Sequence, residues 1–294
     1  MNNIFETIKQ NYKYGSSLTK LIYFNVAIFV GIKFFVIIFR LFNVDVSLYL
    51  TLIAIPANTM SLLHHFWTPL TYMFVHEEFM HLIFNMFALY WFGKIFLMYF
   101  SEKQLLALYL FGGLVGALIF VLSFNLFPYY KLSETDALVI GASGSIVAII
   151  VAAAVKAPNS ELRLLFIGKV KMIYIAIATV LISFFGITGE NSGGEMVHVG
   201  GALAGYLFVV FEKKGNDITL IFNKIIDFFV TSFRKREPKL KATKYHSAKM
   251  SDGDYNRQKA QNEAEIDTIL DKIKTSGYES LTTNEKRKLF DKKK

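Results

Sequence analysis

The sequence predicts an all-α membrane protein, a bundle of six transmembrane helices followed by a short helical cytoplasmic tail. The chain has 294 residues, of which 53% are hydrophobic and 16% aromatic. No Lys or Arg occurs between Arg40 and Lys94, and a second such gap runs from Lys171 to Lys213. Each gap is longer than the roughly 20 residues that one bilayer crossing needs. This distribution excludes an ordinary soluble domain, whose charges are spread more evenly.

Six apolar segments are interpreted as helices, because a chain in lipid must satisfy its backbone internally and the segments lack the alternation of a barrel. They cover approximately residues 21–42, 81–100, 104–127, 137–155, 172–187 and 196–211. A long, mostly uncharged connection over residues 43–80 separates the first segment from the second. We therefore expect residues 1–20 to form an N-terminal segment and residues 21–214 to form the membrane domain.

The orientation is predicted from Lys and Arg, which concentrate in cytoplasmic connections. Connections rich and poor in these residues alternate along the chain, and six crossings fit the alternation with both termini in the cytoplasm. The N-terminal residues show no organellar presequence and no cleavable signal peptide. The expected location is therefore a bacterial cytoplasmic membrane.

The C-terminal part is predicted to consist of a surface helix and a basic tail. Apolar residues at helical spacing over residues 215–233 indicate an amphipathic helix on the inner membrane surface. Residues 234–294 contain 17 Lys+Arg and 10 Asp+Glu, a difference of +7 out of the formal net charge of +9. After a linker, two short helices over residues 263–274 and 282–292 are separated near Gly277. This charge fits the positive-inside rule better than nucleic-acid binding, so no nucleic-acid partner is expected.

Three of the apolar segments carry polar side chains, which are costly inside a bilayer and usually functional. The second segment has His81 and Asn85, the fourth has Ser143 and the sixth has His198. Each of His81, Ser143 and His198 lies 13 to 15 residues before the lysine at the inner end of its segment. That spacing corresponds to about 20–22 Å of helix. Since all three segments run from outside to inside, their polar side chains should lie at one depth and can meet in one site.

These residue types suggest nucleophilic catalysis. A serine hydroxyl is a weak nucleophile until a base such as histidine takes its proton. His81 and Asn85 are one helical turn apart and can donate hydrogen bonds to an oxyanion, as can the free N–H groups where Ser143 begins a helix. Gly141 and Gly144 leave room for the backbone to turn and for a substrate to approach. No Asp or Glu lies in the fourth or sixth apolar core near that depth, so a dyad is expected rather than a triad.

Other interpretations of the same residues stay open at this point. A Gly-x-Ser-Gly string is more often a close-packing device in a membrane helix, and a single membrane histidine is more often a structural hydrogen-bonding group. A transporter with a histidine proton relay would need intramembrane carboxylates, and a structural scaffold would need no polar set at one depth. The absence of cysteine excludes disulfides, iron–sulfur clusters and thiolate zinc sites, and no metal or cofactor is expected.

Taken together, the motifs resemble those of the rhomboid family of intramembrane serine proteases. The resemblance covers residues 66–211 and lies in their order, spacing and implied topology. The matching parts are Phe66–His76, which looks like the family's outer loop; the pair His81-x-x-x-Asn85; Gly141-Ala142-Ser143-Gly144; and His198–Gly205, which looks like the helix of the catalytic histidine.

The resemblance implies a role for each site residue. Ser143 would be the nucleophile and His198 the general base, while the Ser143 N–H, His81 and Asn85 would form the oxyanion hole. Gly201 would permit close approach of the sixth helix to the fourth.

His76 would be structural under the same resemblance. The substrates would be transmembrane segments of other membrane proteins, reached laterally from the lipid bilayer, with water supplied from the outer side. No metal or cofactor is implied, and the oligomeric state is left open.

The sequence departs from the family pattern at three supporting positions. Thr68 stands where members often have arginine, Leu97 where they usually have glutamate, and Val147 where many have an aromatic residue that packs on the histidine. These changes affect loop anchoring and support. The alternative to a protease is a catalytically silent family member that binds and escorts membrane proteins, although such members typically lack the serine or the histidine.

Overall fold

The computed structural model describes residues 4–46, 49–131, 137–164, 168–216, 218, 220, 222, 224 and 252–290. The chain divides into two compact units, Met1–Arg234 and Lys235–Lys294. Most of the predicted surface helix over residues 215–233 and most of the linker after it lie outside the described residues.

The first unit is mostly helical, with two short pairs of antiparallel strands. Its α-helices are α1 (Ile4–Tyr14), α2 (Ser17–Leu41), α3 (Thr59–His64), α4 (Thr68–Thr71), α5 (Phe79–Phe96), α6 (Glu102–Leu126), α7 (Ser143–Lys156), α8 (Met172–Gly186) and α9 (Ser192–Lys213). Its strands are β1 (Ile55–Pro56), which pairs with β2 (Leu138–Val139), and β3 (Glu161–Leu164), which pairs with β4 (Gly168–Lys171).

Four of these helices, α2, α5, α6 and α9, are long and apolar enough to cross a membrane, and α7 and α8 are shorter apolar helices. Large apolar side chains on the outer helices are exposed, including Phe34 and Phe35 on α2 and Phe185 on α8. An apolar surface of this kind is suited to lipid rather than water.

Helix α7 forms the centre of the first unit. Every residue from Gly144 to Ala154 is buried, and α7 packs against α5, α6, α8 and α9. Many of these residues are glycine or alanine, and small side chains let helix backbones approach closely in a membrane. The helix that begins at Ser143 is therefore held on all sides by its neighbours.

The segment between α2 and α5 is fixed to the chain just before α7. Strands β1 and β2 pair, and the pairing continues where Ala57 N donates to Ala137 O at 3.0 Å. The fully buried Tyr72 donates its hydroxyl to Gly113 O at 2.5 Å, and its own carbonyl accepts from Gly141 N at 2.9 Å. These bonds set the position of the residues that lead into Ser143.

The observed ends of the helices differ from the expected segments in three informative places. Helix α7 begins at Ser143 rather than near residue 137, because β2 occupies the preceding residues and Gly141 has a φ of +122°. Helix α9 begins at Ser192 rather than at residue 196, so it includes polar residues that the hydrophobic pattern left out. The N-terminal segment contains a helix of its own, α1, which the sequence did not suggest.

The second unit contains helices α10 (Asp252–Ser276) and α11 (Thr283–Phe290). The chain turns at Gly277, with a φ of +76°, where the sequence predicted a break. Helix α10 begins earlier than the predicted residue 263. Lys272 Nζ donates to Glu285 Oε1 at 2.9 Å and links the helices. This contact and the bonds from Thr282 lower the pKa of the Glu285 carboxyl to about 2.

Candidate active site

Ser143 is the first residue of α7 and is half-buried. The positive φ of Gly141 redirects the chain from β2 into the helix, a conformation that L-residues with side chains rarely adopt. Because the first N–H groups of a helix lack intrahelical partners, the hydroxyl of Ser143 lies beside free donors and the positive end of the helix dipole. A developing negative charge is favoured at this position.

His81, in the first turn of α5, lies beside the same turn. A side chain at Gly141 would place its Cβ 2.9 Å from His81 Nε2 and 3.9 Å from Ser143 Oγ. The imidazole and the hydroxyl therefore flank one glycine. Asn85 is buried one turn further along α5 and donates one amide hydrogen to the His81 carbonyl at 3.0 Å. Its second amide hydrogen is not used in that bond.

His198 is placed by close packing of α9 on α7. A Cβ at Gly201, three residues after His198, would overlap the backbone of Gly144. A Cβ at Gly144 would in turn overlap Val197 of α9. The two helices are thus in backbone contact one residue from Ser143, which fits the close approach that the resemblance implies for Gly201. The space beside Gly144 is filled by Val197 and is not left open for a substrate as the sequence had suggested.

Both Ser143 and His198 belong to the described part of the chain, and no direct hydrogen bond joins them there. The His198 imidazole lies within electrostatic range of His81, and its side chain is 19% exposed. Hydrogen bonds between a nucleophile and its base are often long before substrate binds. The three side chains predicted to meet are therefore brought to one region, without the final nucleophile–base contact.

The expectation that no carboxylate lies near the base is wrong. Glu195 Oε2 lies 3.1 Å from His198 Nδ1, and Ser183 Oγ of α8 lies 3.1 Å from the same nitrogen. Sequence reasoning missed both residues, because Glu195 lies just before the expected sixth segment (196–211) and Ser183 lies within the fifth (172–187) without a motif that singles it out. The spacing of three residues between Glu195 and His198 was the available indication, since residues three apart share a helix face.

Comparison with known families identifies the family to which the apolar part of the chain belongs. The family model of the rhomboid domain matches residues 63–214, which is more than half of the chain. The chain belongs to the rhomboid family. Together with its four long apolar helices, this makes the rhomboid an integral membrane protein. A second match, to a family of unknown function (DUF6576), covers residues 251–291 of the tail. No curated protein is similar enough to the chain to count as a match.

The three residues that depart from the rhomboid pattern each make packing or hydrogen-bond contacts with their immediate surroundings. Thr68 is fully buried and donates its hydroxyl to His65 O at 2.8 Å. Val147 is buried within α7, and Leu97 is the C-terminal cap of α5, where its N–H donates to Gly93 O. Each substituted residue is therefore packed or hydrogen-bonded in its own element.

His76 lies in the connection just before α5 and is almost fully buried. Neither of its ring nitrogens makes a hydrogen bond of good geometry with the described residues, and its ring centroid is 5.2 Å from that of His81. Burial, with a smaller contribution from His81, lowers the pKa of His76 from 6.5 to about 4. His76 is thus a neutral packing group behind the His81 imidazole.

The stability of this rhomboid is expected to fall as pH decreases from about 6.5 to about 4 because of His76. In that window the unfolded chain binds a proton that the folded chain does not, so unfolding is favoured at lower pH. The shift corresponds to a loss of about 3 kcal/mol by pH 4. The measurement is the unfolding temperature in detergent between pH 7.5 and 4.5, comparing wild type with His76→Leu, which should show a flatter dependence.

The matched control is His64→Leu, since His64 is an exposed histidine in the same part of the chain between α2 and α5. Its pH dependence should follow that of wild type. If His76→Leu and wild type lose stability equally, another group carries the acid sensitivity.

Proposed function

We propose that this rhomboid is an intramembrane serine endopeptidase that cleaves transmembrane segments of other membrane proteins with a Ser-His dyad and an oxyanion hole. One observation carries the proposal. Ser143 stands at the N-terminus of the buried helix α7, beside His81, and the helix of His198 touches α7 one residue further on. These positions support the assignment of a nucleophile, a base and hydrogen-bond donors to one end of α7.

The chemistry requires few groups. Ser143 Oγ would attack the carbonyl carbon of the scissile peptide, and its proton would pass to His198 Nε2. The same proton would then move to the leaving nitrogen as the C–N bond breaks, leaving an ester on Ser143. Water would hydrolyse this ester, with His198 again acting as base and then acid.

The oxyanion of each tetrahedral intermediate needs donors that are already in place. The Ser143 N–H at the start of α7, the His81 ring beside Gly141, and the second amide hydrogen of Asn85 are the groups that we assign to this role. His76, packed on His81, would keep that imidazole in position.

The proposed topology has six crossings, with α7 and α8 spanning in addition to the four longer helices. Under this topology residues 21–214 are the protease domain, residues 215–233 lie on the inner membrane surface, and residues 234–294 are cytoplasmic. The location would be a bacterial cytoplasmic membrane with both termini inside. Support comes from the Lys and Arg distribution and from the helix positions.

A second candidate function is binding and escort of membrane proteins without cleavage. The observation that favours it is that Ser143 and His198 make no direct hydrogen bond among the described contacts. The retention of both residues favours the protease.

The test combines cleavage with active-site labelling of the purified protein in liposomes. We expect a transmembrane reporter to be cut within its apolar segment, and a fluorophosphonate probe to form an adduct that peptide mapping assigns to Ser143. An adduct at Ser143 with no cleavage of several reporters would still show an activated serine and would point to membrane substrates other than the reporters tested. If folded protein gives neither cleavage nor an adduct, the protease proposal is wrong.

A further inference from the structure

Beside His198 lies a carboxylate that a Ser-His dyad does not require. Glu195 Oε2 is 3.1 Å from His198 Nδ1, and the two side chains are only 17% and 19% exposed. Ser183 Oγ is also 3.1 Å from Nδ1 and lies within hydrogen-bonding range of the carboxylate. A hydrogen bond to an ionised group is stronger than a neutral one, and low local polarity strengthens it further.

The contact determines which ring nitrogen of a neutral His198 carries the hydrogen. An ionised carboxylate can only accept hydrogen bonds, and a neutral imidazole has one N–H. A bond between Glu195 and Nδ1 therefore requires Nδ1–H and leaves the Nε2 lone pair free. A base that is to take the proton of Ser143 through Nε2 needs this tautomer.

The side chain of Glu195 is closely packed by its neighbours. The side chain of Asn191 also lies close to the carboxylate. At the end of α8, a Cβ on Gly186 would lie 2.9 Å from Glu195 Cγ, so a larger residue there would displace the carboxylate stem. In α9 a Cβ on Gly194 would lie 2.6 Å from the Asn191 amide. Contacts from both helices therefore restrict the carboxylate to the position that meets His198.

We propose that Glu195 is a positioning residue that, together with Ser183, orients His198 and extends the site to a Ser-His-Glu relay. The inference rests on the proposed function for its kinetic consequence, but the orientation of the imidazole is a property of the folded protein. When Nε2 accepts the Ser143 proton, the Nδ1–H···carboxylate bond becomes an ion pair that stabilises the imidazolium. No proton needs to reach Glu195.

The competing explanation is that Glu195 only stabilises α9. An acidic residue in the first turn of a helix interacts favourably with the helix dipole. Glu195→Gln would then change stability alone. The two explanations differ in the tautomer of His198 and in the turnover number, neither of which a helix-stabilising role would change.

The first arm of the experiment is spectroscopic and does not depend on activity. The full chain is labelled with 15N-histidine and recorded at about pH 8, where a free imidazole is neutral. His198 is assigned among the six histidines by the signals that His198→Gln removes. We expect Nδ1 to be protonated and Nε2 unprotonated in wild type, and this preference to be lost in Glu195→Gln. The same tautomer in both proteins would overturn the proposal.

The second arm measures reporter cleavage. We expect Glu195→Gln to lower kcat by about 10²-fold or more with KM within about twofold, because the carboxamide can donate to Nδ1 and favour the wrong tautomer. The kcat of Glu195→Asp should be at least tenfold higher than that of Glu195→Gln. The control is Glu190→Gln, an exposed acid in the same outer connection, which should behave as wild type. Equal kcat in Glu195→Gln and wild type would overturn the relay.

The two arms separate the two hypotheses. An Nδ1–H preference that depends on Glu195, without cleavage of any reporter, leaves the positioning role standing and removes the protease. Cleavage by wild type, with no effect of Glu195→Gln on tautomer or kcat, leaves the protease standing and removes the positioning role.

Discussion

Replacement of Ser143 or His198 by alanine is expected to lower kcat for reporter cleavage by about 10³-fold or more, while KM changes little. Ser143→Ala removes the attacking oxygen, and His198→Ala removes the group that would take its proton. Neither change removes a residue of the close contact between α7 and α9, which includes Gly144 against Val197 and Gly201. The variants should therefore stay folded and bind reporter as wild type does.

The double variant provides the sharper test. Nucleophile and base act as one unit, so removing both should cost no more than removing either one. The measurement is single-turnover cleavage in liposomes for wild type, both single variants and the double variant. Multiplicative losses would mean that the two residues act independently, which a shared proton transfer does not allow.

Ser145→Ala is the matched control for Ser143→Ala. Ser145 lies two residues further along α7, is buried, and its hydroxyl has no hydrogen-bond partner in the described part of the chain. Removal of this oxygen should leave cleavage within about twofold of wild type and leave stability equal or slightly higher, since an unpaired buried hydroxyl is unfavourable. A loss in Ser145→Ala equal to that in Ser143→Ala would assign the effect to helix packing.

The sequence alone was sufficient to predict that the main candidate site residues lie close together. Counting residues back from the lysines predicted to be cytoplasmic gave His81, Ser143 and His198 one expected depth, because a helix has a fixed rise per residue. In the structure His81 flanks Gly141 beside Ser143, and the α9 backbone meets α7 at the next residue. That prediction rested on the geometry of the α-helix and on the free-energy cost of placing polar groups in lipid.

The pocket around Glu195 could not be predicted in the same way. A hydrophobic pattern ends a segment at the first charged residue, so Glu195 was counted as a loop residue although α9 already includes it. Its contact with His198 depends on Ser183 and Gly186 from the end of α8, and such tertiary contacts leave no periodic pattern. The pairing of β1 with β2 was missed for a related reason, since two-residue strands are too short to show alternation.

Gly201→Ala is expected to destabilise the protein by about 2–4 kcal/mol and to abolish cleavage. A Cβ at this position would lie 2.1 Å from the carbonyl oxygen and 2.9 Å from the carbonyl carbon of Gly144, which is too close for either atom. Backbone atoms of two packed helices cannot move aside as a flexible side chain can, so α9 would have to separate from α7. The separation would carry His198 away from Ser143, and small displacements of a catalytic group are costly to the rate.

Gly31→Ala tests whether this loss comes from the close approach rather than from a methyl group in any membrane helix. Gly31 lies in the middle of α2, and a Cβ there would meet no atom within 4 Å. Its replacement should leave cleavage unchanged and stability equal or up to about 1 kcal/mol higher, because alanine favours helix over glycine. The measurement is thermal unfolding in detergent, where Gly201→Ala should unfold roughly 5–15 °C below wild type. Equal unfolding temperatures for the two variants would contradict backbone contact between α7 and α9, and with it the placement of the base beside the nucleophile.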